Sequence, residues 1–352
     1  MAKYATLSAR LRREIRESGL NFSMRTPEFQ MKDMAFGSGY PITGLEKFLG
    51  YYDNAAKVAN FPSISVTTDF SMALCGVWVS DRDRIILDGS ENQLYSARAA
   101  KALDIFRKIY GVTEKLTFYV ERRKRYVNAK GIGESAAVAC AVSSALCSLY
   151  FKNPSDQFIS TWARYVSGSG TRSATGGVSL WLSYPGIPES RNHAIRVRND
   201  LGKMKIACFP TENPLKTEDA HGTASSSPFY DTWARMKYDL TIRHIRNGFD
   251  PMQMIRRSQE DMLQMHSLLT SMGTMILDRR FSKLIELGKK KGNDLFVTAD
   301  TGPTPVIFYR DSETLLEVEE LLGMKSLSGN ITTSRPENPV EFKEKARSVK
   351  GE

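Results

Sequence analysis

Apolar residues recur along the chain with two different spacings, one typical of strands and one typical of helices. The spacing in each segment predicts which of the two it forms. Short runs rich in β-branched residues predict strands at residues 63–69, 72–79, 84–87, 116–120, 178–182, 204–209, 295–299, 304–309 and near 330–333. Longer segments of helical period predict helices at residues 5–18, 91–110, 134–150, 156–166, 229–247, 252–270, 281–287 and 312–322. The polar segments at 121–125, 167–177 and 211–227 are predicted to be loops. This order of elements predicts an α+β fold with mixed or antiparallel sheets and helices packed on one face.

Changes in residue composition along the chain predict its domain boundaries. Residues 1–36 form a basic extension that packs on the body or on a second subunit. Residues 37–195 form an N-terminal α/β domain with a glycine-rich loop, and residues 196–335 form a C-terminal α+β domain. The charged residues 336–352 are predicted to be a mobile tail.

The turn Gly131-Ile132-Gly133 leads into a helix whose side chains are almost all small. A helix without a polar face is buried, and its N-terminus offers free N–H groups to an anion. The alternative is a core helix that merely follows a glycine turn. Glu134 disfavours nucleotide binding at this helix N-terminus, because its carboxylate would repel the phosphates.

Composition narrows the class of protein. Of the 352 residues, 41% are hydrophobic and 25% are charged, which is ordinary for a globular protein. No apolar run approaches the roughly 20 residues of a membrane span, and no secretory signal is predicted. The four cysteines lack metal-ligand spacing, so we expect reduced thiols in a cytoplasmic protein and no metal site. The net charge of +10 suits anionic partners, either nucleic acid or phosphorylated metabolites.

Three further segments carry candidate chemistry. Lys47 follows a glycine within Gly44-Leu45-Glu46-Lys47-Phe48-Leu49-Gly50, and Arg172 lies in the middle of a Gly/Ser-rich segment. Asp300 begins the sequence Asp-Thr-Gly-Pro. Each has an ordinary alternative: a surface lysine, a surface ion pair, and a residue of a tight turn.

Taken in order, these segments resemble the GHMP kinase superfamily, and within it the diphosphomevalonate decarboxylase group. The resemblance spans roughly residues 40–310 and rests on the lysine segment with the strand after it, Gly131–Ala137, Gly168–Ser173 and Thr298–Pro303. It implies a two-domain fold of the GHMP kinase type. It also implies an enzyme in which Lys47, Arg172 and Asp300 are catalytic.

The sequence departs from the family pattern where the family binds ATP and diphosphate. Glu134-Ser135 replaces two small hydroxyl residues, Asn128 replaces a proline, and Tyr51 replaces a second lysine that holds the terminal diphosphate. The resemblance therefore implies an archaeal branch of the family that acts on mevalonate 3,5-bisphosphate without ATP. The expected products are isopentenyl phosphate, carbon dioxide and phosphate.

This chemistry assigns a role to each charged residue. Lys47 neutralises the departing phosphate, Arg172 binds the carboxylate through two parallel hydrogen bonds, and Asp300 stabilises positive charge at the tertiary carbon. The residues expected to bind substrate or phosphate are Gly133, Glu134, Ser135, Ser169, Gly170, Arg98 and Tyr51. Arg98 and the basic run 122–125 are the candidates for the 5-phosphate.

Other functions remain open at this level. An ATP-dependent phosphomevalonate or diphosphomevalonate decarboxylase would need ATP and Mg²⁺, whereas the leading hypothesis needs no cofactor. A mevalonate 3-kinase would not need Lys47 or Asp300. A basic protein that binds RNA or another anion would show salt-dependent binding without turnover. The leading hypothesis predicts a small phosphorylated substrate, no nucleic-acid or membrane partner, and a homodimer.

Overall fold

A computed structural model of the chain describes residues 4–126, 133–211 and 217–351. Asn128, Gly131 and Ile132, which belong to the predicted phosphate loop, lie outside the described residues, as does part of the polar segment 211–227. The predicted loop can therefore be followed only from Gly133 onward.

The predicted helices and most of the predicted strands are found in their predicted order. The strands are β1 (Met34–Gly39), β2 (Ile42–Glu46), β3 (Tyr51–Asp53), β4 (Val58–Ala59), β5 (Ser63–Thr67), β6 (Ser71–Ser80), β7 (Arg84–Leu87), β8 (Ser90–Glu91), β9 (Lys115–Lys124), β10 (Val178–Trp181), β11 (Ala194–Arg198), β12 (Lys205–Cys208), β13 (Leu295–Thr298), β14 (Val306–Tyr309) and β15 (Leu327–Gly329). The helices are α1 (Ala5–Glu17), α2 (Gln93–Tyr110), α3 (Glu134–Tyr150), α4 (Asp156–Val166), α5 (Gly170–Thr175), α6 (Thr217–Ser226), α7 (Tyr230–Arg246), α8 (Pro251–Ser271), α9 (Arg279–Lys291), α10 (Ser312–Leu322) and α11 (Val340–Gly351). The strand predicted near residues 330–333 is found at Leu327–Gly329, and β1, β2, β3, β4, β8 and β11 are additional strands.

The strands form three sheets and a small hairpin. The first sheet has the order β1-β6-β9-β7-β8, the second β11-β10-β5-β2 and the third β13-β14-β12-β15, while β3 pairs with β4. All pairs in the described residues are antiparallel except β7 with β9. The predicted α+β class with mixed and antiparallel sheets is confirmed.

Helix α3 is buried against β1 because both elements lack bulk where they meet. A Cβ atom at Gly37 would lie 2.2 Å from the backbone nitrogen of Ala145, and one at Gly39 would lie 2.5 Å from the carbonyl oxygen of Ala137. Such distances exclude any side chain at these glycines. The small residues of the helix therefore reflect direct contact between the two backbones.

Helix α1 packs on α7 of the same chain. Its apolar residues Leu11 and Ile15 are buried, and the hydroxyl of Tyr4 donates to Asp231 over 2.7 Å. The N-terminal extension thus contacts the body of its own chain, which is one of the two arrangements that the sequence left open.

Several polar segments are more ordered than predicted. The basic run is not a loop, because β9 continues through Lys124, where its backbone pairs with β6. Segment 167–177 contains helix α5, and segment 211–227 contains helix α6. The prediction of a mobile C-terminal tail is wrong, since α11 buries Phe342 and Ala346 against the first sheet. Two apolar residues of this helix are fully buried and Val349 packs beside them, but charged residues dominate its sequence pattern.

Four buried titratable groups set the pH dependence of stability. Burial raises the pKa of Glu46 to about 8 and lowers the pKa of His193, His244 and His266 to about 4. The histidines contribute stability that is present above their unfolded pKa of about 6.5 and is lost as pH falls toward 4. Glu46 contributes stability that is lost as pH rises from about 4.5 to 8. We expect the melting temperature to be highest near pH 6.5.

Substitution of Glu46 tests this balance. Glu46→Gln keeps the volume and removes the titration, so the loss of stability between about pH 6.5 and 8 should shrink. Between about pH 4.5 and 6.5 the acid side of the curve should become steeper, because Glu46 no longer offsets the titration of the three histidines there. Thermal unfolding across pH 4–9 measures both, and an unchanged alkaline side in Glu46→Gln would exclude Glu46 as its cause.

Candidate active site

A pocket of about 590 Å³ lies where the ends of β2 and β13, helix α5 and the N-terminus of α3 meet. It is lined by three glycines and by many polar and charged side chains. The charged side chains in its lining are Lys47, Lys57, Arg98, Lys101, Glu134, Arg172 and Asp300. Because cations predominate, the pocket suits a small anion.

Lys47 and Asp300 form the deepest charged pair of the pocket. The Nζ of Lys47 donates to the carbonyl oxygen of Gly44 and to Thr298 Oγ1, the latter over 2.8 Å, and lies 3.6 Å from Asp300 Oδ1. Asp300 Oδ1 also accepts from the backbone N–H of Gly44 over 3.1 Å. Burial lowers the pKa of Lys47, while Asp300 opposes that shift. The lysine is 3% exposed, whereas Asp300 at 26% remains open to a ligand.

Arg172 approaches the same space from helix α5. Its guanidinium lies 5.3 Å from the ring centre of Phe48 and 5.9 Å from that of Trp181, which hold its plane by cation–π contact. Its Nε is buried and has no hydrogen-bond partner among the described residues. Burial lowers the pKa of Arg172 to about 10. A buried, partly unpaired guanidinium is prepared for a carboxylate ligand.

Glu134 is the first residue of α3, and its carboxylate is bound by cations from the end of β9. Lys124 Nζ lies 3.0 Å from Glu134 Oε1, and Arg122 lies 3.5 Å from Oε2. The hydroxyl of Tyr126 donates to the same carboxylate. The first turn of this helix therefore carries a carboxylate near the positive end of the helix dipole, where nucleotide phosphates would be expected.

The basic run 122–125 does not line the pocket. Arg122 also pairs with Asp88, Arg123 pairs with Glu341 and Arg125 pairs with Asp69. These pairs engage the charges that the sequence offers to the 5-phosphate. Because alternate side chains of a strand point to opposite faces, Arg122 and Lys124 reach Glu134 while Arg123 reaches Glu341.

The rim of the pocket carries aromatic rings and further cations. The ring of Tyr51 stacks on His221 at 4.9 Å between centres, and Lys57 Nζ lies 4.7 Å from the centre of the Tyr51 ring. Arg98 lies over Tyr95 on helix α2. Lys57 and Arg98 thus bring positive charge to the pocket entrance.

The structure brings nine of the ten sequence-predicted site residues to this one pocket. They are Lys47, Tyr51, Arg98, Gly133, Glu134, Ser135, Ser169, Arg172 and Asp300. The exception is Gly170, where a Cβ atom would lie 2.7 Å from that of Ala139. Its missing side chain serves the packing of α5 against α3, and not the pocket.

Sequence reasoning missed several pocket residues. Ser65 lines the pocket, and its Oγ is buried without a partner among the described residues. Lys57, Lys101, Ser167 and His221 also line it. Ser65 and Ser167 lay beside motifs already noted, so proximity could have indicated them. Nothing in the pattern distinguished Lys57 or Lys101 from a surface lysine.

Two kinds of feature are absent from the described residues. Within residues 4–126, 133–211 and 217–351, no group of three or more histidine, cysteine or carboxylate side chains could hold a metal ion. None of the helices in these ranges is both long and apolar enough to cross a membrane.

The fold and the pocket together define an enzyme-like α+β protein. Its pocket is cationic and has the carboxylate of Asp300 at its centre. Residues 39–186 match the diphosphomevalonate decarboxylase-like N-terminal domain family. The chain is 38% identical to mevalonate 3,5-bisphosphate decarboxylase of Thermoplasma volcanium over 86% of this chain and 84% of that protein. It is 39% identical to the enzyme of the same name from Thermoplasma acidophilum, over 85% of this chain and 76% of that protein.

The fold agrees with these matches. Mevalonate diphosphate decarboxylase of Staphylococcus aureus superimposes with a TM-score of 0.74 at 19% identity, covering 86% of this chain and 97% of that one. The chain belongs to the diphosphomevalonate decarboxylase-like family.

Proposed function

We propose that this chain is a carboxy-lyase that converts mevalonate 3,5-bisphosphate to isopentenyl phosphate, carbon dioxide and phosphate without ATP. The two Thermoplasma relatives that carry this activity in their names are 38% and 39% identical to the chain over most of its length. The observation that carries the proposal is the pairing of two features. Lys47, Arg172 and Asp300 share one pocket, while Glu134 adds a carboxylate to the first turn of α3, where the family binds nucleotide phosphates.

The reaction breaks two bonds of the substrate and forms one double bond. The C3–O bond breaks before the bond between C2 and the carboxyl carbon, or its breaking runs ahead of that bond's. Its electron pair leaves with the phosphate group. The electrons of the bond between C2 and the carboxyl carbon then form the C2=C3 double bond, and carbon dioxide departs. No proton is removed from carbon, and the 3-phosphate departs as HPO₄²⁻ when it reacts as its monoanion, so the site needs charge stabilisation more than a general base.

Each charged residue would stabilise a different charge. Lys47 neutralises phosphate as it departs, and Arg172 orients the carboxylate with its planar fork. Asp300 stabilises the positive charge at C3, and its 3.6 Å separation from Lys47 keeps both charges available in one place. The unpaired hydroxyl of Ser65 adds a donor in the same pocket.

The 5-phosphate would bind at the entrance. Arg98, Lys57 and Lys101 line the pocket, and Tyr51 stands in the position of the family's second lysine. Gly133, Ser135 and Ser169 would donate hydrogen bonds to phosphate oxygens. Three cations are enough to balance one phosphate dianion.

We further propose that the protein is archaeal and cytoplasmic. The Thermoplasma relatives support the first point, and the four buried, unpaired cysteines fit a reducing compartment. The homodimer remains a prediction that sedimentation equilibrium would test.

Glu134→Ser is expected to improve nucleotide binding. The change removes a carboxylate and leaves Arg122 and Lys124 beside a helix N-terminus. Two charges 4 Å apart interact by about 1–4 kcal/mol between water and a protein surface, so ADP affinity should rise by about tenfold or more. Calorimetric titration with ADP measures it.

The matched control is Glu121→Ser. Glu121 lies on β9, the strand that carries Arg122 and Lys124, and pairs with Lys345, so this variant makes the same charge change outside the pocket. It should leave ADP binding unchanged. Equal affinities in the two variants would mean that Glu134 does not exclude nucleotides.

The proposed function is tested by the products. Incubation with mevalonate 3,5-bisphosphate should yield isopentenyl phosphate, phosphate and carbon dioxide in equal amounts. Phosphate release without carbon dioxide would indicate a phosphatase, and no release of either would remove the proposal.

A further inference from the structure

Helix α8 binds both loops on which the central charged pair lies. Lys47 follows β2 in the N-terminal half of the chain, and Asp300 follows β13 in the C-terminal half. Asp261 of α8 contacts the first loop and His266 contacts the second. Both contacts are made to the backbone, so they constrain position and leave the catalytic side chains free to meet substrate.

Asp261 holds the backbone of Lys47. Its Oδ2 accepts the backbone N–H of Lys47 over 2.6 Å and also accepts Lys237 Nζ over 2.6 Å. Its Oδ1 accepts from the indole N–H of Trp233 over 3.3 Å. Asp261 and Lys237 are each 1% exposed. The carboxylate therefore has fixed partners on both oxygens and cannot turn away from Lys47.

His266 holds the backbone of Asp300. Its Nε2 lies 3.0 Å from the carbonyl oxygen of Asp300. A carbonyl only accepts, so Nε2 carries the proton and donates. Burial lowers the pKa of His266 to about 4, with a further contribution from Lys47, and the ring is neutral near pH 7. A neutral donor orients the loop without adding a third charge to the pair.

The buried polar contacts of α8 are an inefficient way to stabilise the fold if they have no other role. A buried ion pair such as Lys237 with Asp261 is often no more stabilising than apolar residues of similar volume. The same helix adds two contacts to β13: Gln259 accepts the backbone N–H of Val297 over 2.9 Å, and the hydroxyl of Thr298 donates to the carbonyl oxygen of Ser258 over 3.4 Å. Four residues of one helix thus make polar contacts with the elements that carry Lys47 and Asp300.

We infer that Asp261 and His266 are positioning residues that fix Lys47 and Asp300 relative to each other. This inference rests on the proposed function, because it assigns both residues to that reaction. Lys47 and Asp300 are 253 residues apart in sequence, and α8 is the element that holds both loops. A shift of about 1 Å in such a pair costs about 100-fold in rate.

The first test compares His266→Gln with His266→Leu. The Nε2 of glutamine takes the place of the histidine Nε2 and can donate to the Asp300 carbonyl, whereas leucine cannot. We expect kcat within about threefold of the wild type for glutamine and about 10–100-fold lower for leucine, with KM little changed in both. His266→Met replaces the leucine variant if the latter does not fold.

The second test applies the same logic to Asp261 in a Lys237→Met background, which avoids a buried unpaired charge. Asp261→Asn keeps an acceptor for the Lys47 N–H, and Asp261→Leu removes it. The leucine double variant should lose about 10–100-fold in kcat, and the asparagine double variant should retain most of it.

The pH profile separates positioning from stability. Lys47 faces Asp300, Asp261, Lys237 and His266, and Asp300 is the strongest support for its charged form. If Lys47 is misplaced, Asp300 raises the pKa of Lys47 less. The alkaline limb of the kcat profile should therefore move to lower pH, and only in the leucine variants. A purely structural role would lower the melting temperature without moving the limb.

The outcomes distinguish this inference from the proposed function. If the wild-type protein does not turn over mevalonate 3,5-bisphosphate, the proposed function fails. If the wild type is active and the folded leucine variants match their glutamine and asparagine partners in kcat and pH profile, the positioning inference fails.

Discussion

Asp300→Asn is expected to lower kcat by about 10²–10³ while KM stays unchanged or falls. Asparagine keeps the shape of aspartate and can still accept from the backbone N–H of Gly44, which now lies 3.1 Å from Asp300 Oδ1. Only the negative charge is lost. That charge acts on the transition state, where C3 becomes positive, whereas the bound substrate is strongly anionic and gains from its removal.

A turn-only role for Asp300 predicts a different result. The melting temperature would fall, while turnover per folded molecule would stay intact. Asp294→Asn is a suitable control, because Asp294 forms an exposed pair with Arg310 over 2.7 Å outside the pocket. Full activity of a folded Asp300→Asn protein would contradict the decarboxylase mechanism.

Arg172→Lys should lower kcat/KM by about 10²–10³, although the formal charge is kept. Lysine has no planar fork and cannot form two parallel hydrogen bonds with a carboxylate. It also loses the stacking of the guanidinium between Phe48 and Trp181. The carboxylate would then rotate, and the C–C bond that breaks would leave its alignment with C3. Steady-state kinetics on mevalonate 3,5-bisphosphate measures the loss.

Arg164→Lys is the matched control for Arg172→Lys. Arg164 is fully buried and donates to the carbonyl oxygen of Asn192 over 2.7 Å, but it does not line the pocket. We expect this variant to lose stability and to keep its turnover per folded molecule. If Arg172→Lys and Arg164→Lys show equal kinetics, Arg172 has no role in binding the carboxylate.

Much of the fold was predictable, because the apolar periods mark elements that bury one face. The strand predicted at residues 63–69 is found at Ser63–Thr67, and the helix predicted at residues 156–166 is found at Asp156–Val166. Lys47, Arg172 and Asp300 could be named because the ordered segments that carry them resemble a family in which such residues are catalytic. Their common pocket depends on contacts between distant parts of the chain, which no local pattern contains.

The remaining features depend on tertiary pairing. The sequence predicts that Glu134 disfavours nucleotide binding. It predicts a loop, however, where β9 carries the cations that bind the Glu134 carboxylate. A charge run gives no sign that alternate side chains will meet a helix N-terminus. In the same way, nothing local to Asp261 or His266 indicated that they bind the loops of Lys47 and Asp300.

The most direct test of ATP-independent decarboxylation is carbon dioxide release from carboxyl-labelled mevalonate 3,5-bisphosphate. The protein is freed of nucleotides, and the assay is run with and without ATP and Mg²⁺. We predict the same rate in both assays, and no carbon dioxide from mevalonate 5-phosphate or mevalonate 5-diphosphate with ATP. Release that occurs only with ATP, or only from a substrate that lacks the 3-phosphate, would contradict the proposal.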